Sequence, residues 1–209
     1  DPSARREEML AEVYNALRIL YGQPPKTFDF EYTDTDKVYH CDRGLTPKQF
    51  LDKYVGSDFD DYAVIIASPI HAVNRTYCQP FMGDVVEDGM FWLNLSQEEL
   101  EDLTIRQLQA GEGVMFSCDC HPDGDRANGY WDPDCFQYGE VLGGLTFGMT
   151  KSERLLTRDS TMNHCMMFCG VNLDENGTAN RWKIENSWGE ESGQKGYYIG
   201  SEKWFQANV

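Results

Sequence analysis

Leu10, Val13, Tyr14, Leu17, Leu20 and Tyr21 follow the three-and-four spacing of one helical face, which predicts a helix from Ser3 to Tyr21. Gly22 and Pro24-Pro25 stop it. Thr46 as N-cap and Pro47 at the first helical position announce a second, short helix carrying Phe50, Leu51 and Tyr54 on one side. Between them, Phe28 to Tyr39 alternates aromatic and acidic residues and reads equally as a strand or as an extended arm. Tyr62 to Ala67 is a β-branched run bounded by Asp61 and Ser68-Pro69, the pattern of a buried strand, and Phe91 to Leu95 reads as another. Ser96 with Glu99 forms a capping box that opens a helix through Leu100, Leu103 and Leu108, and Gly111 ends it. Val114 to Ser117 returns as a strand. Cys118 to Tyr138, rich in Asp, Gly and Pro, reads as an irregular surface excursion, and Thr146 to Leu156 as one short helix.

Strands and helices mixed without regular alternation point to an α+β fold. No internal repeat or low-complexity linker divides the chain, so it reads as one unit, with residues 1–60 a helical region and 61–209 a sheet region.

Asn163 to Val171 is an apolar strand with a histidine near its start, Asp174-Glu175-Asn176-Gly177 is a strong turn signal, and Trp182 to Asn186 is a second strand-like run. The two runs predict an antiparallel hairpin. A turn centred between Glu175 and Asn176 pairs residues whose numbers add to about 351, and those of His164 and Asn186 add to 350. Directly opposed residues on one sheet face have Cβ atoms about 5 Å apart, within reach of an amide–imidazole hydrogen bond. Such a pair serves thiol proteases, in which a cysteine becomes nucleophilic as a thiolate against an imidazolium and an Asn orients the ring. Cys165 and Cys169 stand at odd separations from His164, so their sulfurs face away from it, and small buried hydrophobes are the expected role for both.

Composition narrows the remaining classes. Of 209 residues 41% are hydrophobic and 13% aromatic, enough for a real core, which removes disorder as a rival. Eighteen basic against 35 acidic residues give a formal charge of −17, which repels phosphate backbones and anionic headgroups and argues against nucleic-acid or membrane partners. No apolar run approaches the roughly 20 residues of a membrane span, and the start lacks the apolar stretch of a signal peptide. Seven scattered cysteines suit reduced thiols, so the reading is cytoplasmic. The first residue is not Met, and Trp204 to Val209 carries no polar tail, so the chain reads as an excised piece. Cys118-Asp119-Cys120-His121 places soft donors together, but zinc pairs usually have two or more residues between cysteines and no second cluster follows; a strand end entering a loop is the preferred reading. Asp119, Asp123 and Asp125 lack the closing glutamate of a calcium loop and read as a solvated acidic loop, while His40 and His71 carry no partner motif.

Asn163-His164 before an apolar strand, Trp182 to Gly189 (WKIENSWG) and Gly196 to Ile199 (GYYI) resemble the His and Asn blocks of papain-like cysteine peptidases. Upstream, Lys26 to Tyr32 (KTFDFEY), Leu45 to Phe50 (LTPKQF), Lys53 to Gly56, Asp61-Tyr62 and Lys151 to Leu155 (KSERL) resemble bleomycin hydrolase and its bacterial counterpart, aminopeptidase C. The resemblance implies a papain-like fold, His164 as catalytic base and acid, Asn186 as its orienter, and Trp188 as a shield over their hydrogen bond. It also implies that the nucleophilic cysteine and the oxyanion-hole glutamine precede the first long helix, leaving no nucleophile here, and that a tail restricting cleavage to peptide amino termini follows Phe205. A cytoplasmic homohexamer acting on peptides, without metal or organic cofactor, is implied for the family. The expectation is a fragment of a cysteine aminopeptidase, inactive until joined by its missing N-terminal segment. The alternative is a non-catalytic papain-like binding or assembly protein, against which the retention of both His164 and Asn186 speaks.

Overall fold

A computed structural model describes residues 2–56, 61–79, 90–146 and 148–209. The chain forms two compact units, Asp1–Tyr62 and Ala63–Val209. The boundary expected at residue 60 falls beside residues 57–60, outside the described residues.

In the first unit, helix α1 spans Pro2–Tyr21 and ends at Gly22, whose φ of 85° is the left-handed cap that glycine tolerates best. The apolar face is present as expected, with Leu10, Val13, Tyr14, Leu17 and Leu20 all exposed. Phe28 to Tyr39 resolves into a hairpin: β1 (Phe28–Thr33) pairs antiparallel with β2 (Tyr39–Leu45). The second strand carries His, Asp, Arg and Gly and has no apolar alternation to announce it. Thr46 and Gln49 close a capping box on α2 (Pro47–Phe50), which runs on as a π-helical turn through Val55. Phe28 and Phe30 of β1 pack on Phe50, and Phe30 also on Tyr54, making an aromatic cluster that ties the helix to the hairpin.

The second unit carries the site. The expected strand at 62–67 shrinks to β3 (Ile65–Ile66), with Tyr62 and Val64 exposed. It pairs with β5 (Met90–Asn94), and β4 (Arg75–Gln79) adds on the other side of β5. Asn94 is fully buried and satisfied by Ser68, His71 and Ala72 backbone groups, so it pins the turn after β3. The Ser96–Glu99 capping box opens α3 (Gln97–Gln109) as predicted. Beyond it a curled sheet runs in the order β6 (Val114–Cys118), β9 (His164–Leu173), β10 (Ala179–Glu185), β11 (Tyr197–Ser201), β8 (Tyr130–Trp131) and β7 (Gly124–Asp125). Within this six-stranded sheet every pairing is antiparallel except β11 with β8. Helices α4 (Tyr138–Val141), α5 (Lys151–Thr157) and α6 (Glu202–Asn208) complete the unit, and the helix expected within 146–156 thus begins at Lys151, with Phe147 outside the described residues.

One face of the sheet is packed by aromatic rings. Phe116 stacks on Phe168 at 3.7 Å, Trp182 on Phe205 at 4.3 Å, and Trp131 on Tyr198 at 4.3 Å and on Trp204 at 5.5 Å. Trp131 lies within the stretch expected to be an irregular surface excursion, yet it is wholly buried, its indole donating to Cys120 O. Gly200 permits this packing, since a Cβ there would stand 2.6 Å from the Trp204 ring.

Lys151 marks where α5 meets α3. Its ammonium donates to Gln97 Oε1 at 2.8 Å, and burial, then Arg154, pulls its pKa from 10.5 down to about 8. Because the folded state releases this proton more readily than the unfolded chain, the charged lysine costs stability below pH 8, and stability rises between pH 8 and 10.5. Lys151→Met is expected to add about 2 kcal/mol at pH 7 and to lose most of that advantage by pH 10. Urea unfolding of both proteins at the two pH values measures the difference.

Candidate active site

β9 begins at His164, where the strand leaves a hydrogen-bonded bend. Asn163 fixes that bend: its amide oxygen accepts from Cys120 N at 3.1 Å, and its amide nitrogen donates to Asp119 Oδ1 at 2.6 Å and to His121 Nδ1 at 2.9 Å. Asp119, buried, also takes the His121 N–H. The expected solvated acidic loop is therefore structural at Asp119. No sequence signal exposes this anchor, because its members are polar residues in a loop that only the fold brings to Asn163.

The hairpin is present with a shifted register. Asp174 to Thr178 makes a five-residue connection in which Asp174 N donates to Thr178 O and Gly177 N to Asp174 O. That centres the turn on Asn176, and the ladder pairs Glu185 with Met167 and Ile184 with Phe168, then slips by one at Lys183, opposite Gly170. The expected direct opposition of His164 and Asn186 is thus corrected: the ladder ends at Glu185, and Asn186 N turns away to donate to Gly196 O at 3.0 Å. The two side chains meet all the same, with His164 Nε2 2.8 Å from Asn186 Oδ1.

The Ser187 backbone N–H also points at that oxygen, at 2.8 Å. An amide N–H only donates, so it identifies the atom as the carboxamide oxygen, and His164 Nε2 must be the donor to it. Nδ1 is left as the ring atom available for chemistry. Trp188 stacks on the imidazole with centroids 4.9 Å apart and planes 19° from parallel. Tyr198 meets the Trp188 ring edge-on and Trp131 packs against it at 6.2 Å, so the indole is fixed by core residues. The loop that carries Trp188 back to β11 depends on Gly193, whose φ is +60° and whose Cβ would stand 2.6 Å from Tyr197 O.

Cys165 and Cys169 are exposed, where the sequence suggested buried hydrophobes. Alternation along β9 places Met166 and Phe168 in the core with His164 on their side, and Cys165 opposite, its sulfur 2.9 Å from Ser117 Oγ. Cys118 is the ladder partner of His164, but it is buried and desolvation pushes its thiol far up, which keeps it protonated. Cys120 is pushed up by burial as well. Among the described residues no group of three or more His, Cys, Asp or Glu is placed to hold a metal ion, and no helix is long and apolar enough to cross a membrane. His40 pairs with Asp34 at 2.7 Å in the first unit, and His71 with Ser68 at 2.9 Å in the second.

An imidazole held by a carboxamide beneath an indole, on an α+β scaffold with a curled sheet, is an arrangement suited to thiol-peptidase chemistry. The profile of the Peptidase C1-like family matches residues 2–209, and the chain belongs to that family. Its fold is the papain-like α+β fold that the sequence resemblance implied. The chain is 41% identical to aminopeptidase E of Lactobacillus helveticus over 98% of its own length and 47% of the relative's, and 39% identical to aminopeptidase C of Listeria innocua over 98% and 46%. It superposes on the crystal structure of pepw from Lactobacillus rhamnosis with a TM-score of 0.91 at 42% identity, covering 99% of this chain and 47% of the other. The chain thus spans about half the length of the relatives it matches.

Proposed function

We propose that these 209 residues are the His/Asn portion of a cysteine-type aminopeptidase of the aminopeptidase C and bleomycin hydrolase branch, whose thiol comes from a segment of the same protein outside them. The observation that carries this reading is the His164 Nε2–H···Oδ1 Asn186 bond, with its direction set by Ser187 N–H, because it presents Nδ1 in the form a thiol needs. Asn186 Nδ2, buried without a hydrogen-bond partner among the described residues, is further support, since a buried donor calls for an acceptor from elsewhere.

In the proposed reaction His164 Nδ1 takes the proton of the incoming thiol, and the thiolate attacks the carbonyl carbon after the peptide's first residue. As the tetrahedral adduct collapses, the imidazolium returns that proton to the departing amine, leaving a thioester. Water, deprotonated by His164, then attacks the thioester carbonyl, and the thiol leaves as its proton returns. Asn186 keeps the ring in plane through both transfers, and Trp188 keeps water from competing for the Asn186 oxygen. Peptides are the substrates, a cytoplasmic homohexamer is the working form, and neither metal nor organic cofactor enters the chemistry.

Turnover of aminoacyl coumarin amides tests the reading. The full-length protein is expected to release coumarin and the 209-residue chain alone is not. Steady turnover by the chain alone that disappears in His164→Ala would show that the nucleophile lies inside it and overturn the proposed division of the triad.

A further inference from the structure

The Arg126 guanidinium lies 4.6 Å from the centre of the Trp188 ring, the same ring that stacks on His164 at 4.9 Å. Cation–π contact accounts for its position but does not neutralise it. Arg126 is exposed, and among the described residues no carboxylate pairs with it, although the chain carries a formal charge of −17 and Asp123 and Asp125 are two of its close neighbours in sequence. Asp125 is instead occupied by the Asn128 side chain at 2.7 Å, and Asp123 takes Asn208 at 3.3 Å. A guanidinium held against the indole that covers the reacting ring, and left without its usual partner, is the residue type that reads a carboxylate with two parallel hydrogen bonds.

Distance says which carboxylate. The two ring contacts of 4.9 and 4.6 Å, laid end to end, keep the guanidinium carbon within 9.5 Å of the imidazole centre. In the proposed reaction the leaving amine must come within hydrogen-bond reach of His164 Nδ1 to receive its proton, at about 3 Å. An extended residue advances the chain by roughly 3.5 Å, so the bound matches the reach of a carboxylate on the first or second residue of the leaving portion, and a longer extended peptide would carry its terminal carboxylate beyond it.

We infer that Arg126 is a specificity residue on the leaving-group side, which binds a carboxylate of the departing one or two residues: the terminal carboxylate of a short peptide or an acidic side chain. This rests on the peptidase reading, and it adds that the enzyme favours di- and tripeptides, and acidic leaving residues, over neutral ones.

The test compares kcat/KM of the full-length protein on three dipeptides, Ala-Ala free acid, Ala-Ala amide and Ala-Glu amide, with an alanyl coumarin amide as a reference bearing no carboxylate. The wild type is expected to prefer both carboxylate-bearing dipeptides over Ala-Ala amide by about tenfold. Arg126→Gln is expected to abolish that preference, Arg126→Lys to keep part of it, and Arg126→Glu to reverse it. Whatever the change in absolute rate, the ratio between acid and amide is the readout, because loss of Trp188 packing alone would slow all the substrates together. A ratio unchanged in Arg126→Gln and Arg126→Glu overturns the assignment while leaving the peptidase reading intact. A preference lost for the free acid alone assigns Arg126 to the terminal carboxylate, and one lost for Ala-Glu amide alone to the side chain. No turnover of the coumarin reference by the wild type overturns the peptidase reading and this inference with it.

Discussion

Replacing His164 with Ala in the full-length protein is expected to lower kcat/KM on aminoacyl substrates by roughly ten-thousandfold or more, since in the proposed reaction one ring performs both proton transfers. Asn186→Ala is expected to cost less, on the order of a hundredfold. In the proposed reaction its contribution is orientation of a ring that Trp188 also holds by stacking, and the loss should fall on kcat with little change in KM. The two losses should not add in the double variant, because the amide has no function once the imidazole is gone. Steady-state kinetics on one coumarin substrate gives all three values. An Asn186→Ala protein as inactive as His164→Ala would mean that the amide does more than orient, and one as active as wild type would remove Asn186 from the machinery.

The second large effect is structural. Trp182→Ala is expected to destabilise the second unit by about 3 to 5 kcal/mol, the range for truncating a buried aromatic. The residue has no exposed surface, stacks on Phe205 at 4.3 Å and packs on Phe168 at 5.2 Å, and its indole donates to Glu202 at 2.8 Å. The truncation therefore opens a cavity between β9, β10 and α6 and strips one hydrogen bond from a carboxylate. The cavity lies beneath the sheet that carries His164, so activity at 25 °C should persist in whatever fraction stays folded while the unfolding midpoint falls. Urea unfolding followed by tryptophan fluorescence reads the change; a loss below 1 kcal/mol would show that the site tolerates collapse.

How much of this was legible in the chain differs from element to element. The capped helices were, because Ser96 with Glu99 and Thr46 with Pro47 are local chemistry that tertiary structure has no reason to override. The hairpin was legible through Asp174 to Gly177, but its register was not, because a five-residue connection and a four-residue one share that signature and move the pairing by one. His164 and Asn186 still meet, since an imidazole and a carboxamide have enough reach to absorb the shift. Strand β2 was invisible because its pairing rests on backbone bonds between residues such as Asp42 and Phe30, with no apolar alternation. Trp131 was assigned to a surface loop because its neighbours are Asp, Gly and Pro, and only the parallel pairing of β8 with β11 carries it into the core. Arg126 and the Asn163 anchor could not be found from spacing at all, since the fold joins loop residues to other loop residues about 40 to 60 positions away.

The division of the triad can be tested by chemistry that measures proximity without turnover. 1,3-Dibromoacetone alkylates a reactive thiol and then a nucleophilic nitrogen within a few ångströms, so it bridges a thiolate to its partnered imidazole. Applied to the full-length protein at one equivalent and read by peptide mass spectrometry, it is expected to join a cysteine outside these 209 residues to His164, and to leave Cys118, Cys165 and Cys169 unbridged. A bridge from His164 to any of those three cysteines, or a bridge that avoids His164 altogether, would contradict the assignment of His164 as the partner of a thiol supplied from elsewhere.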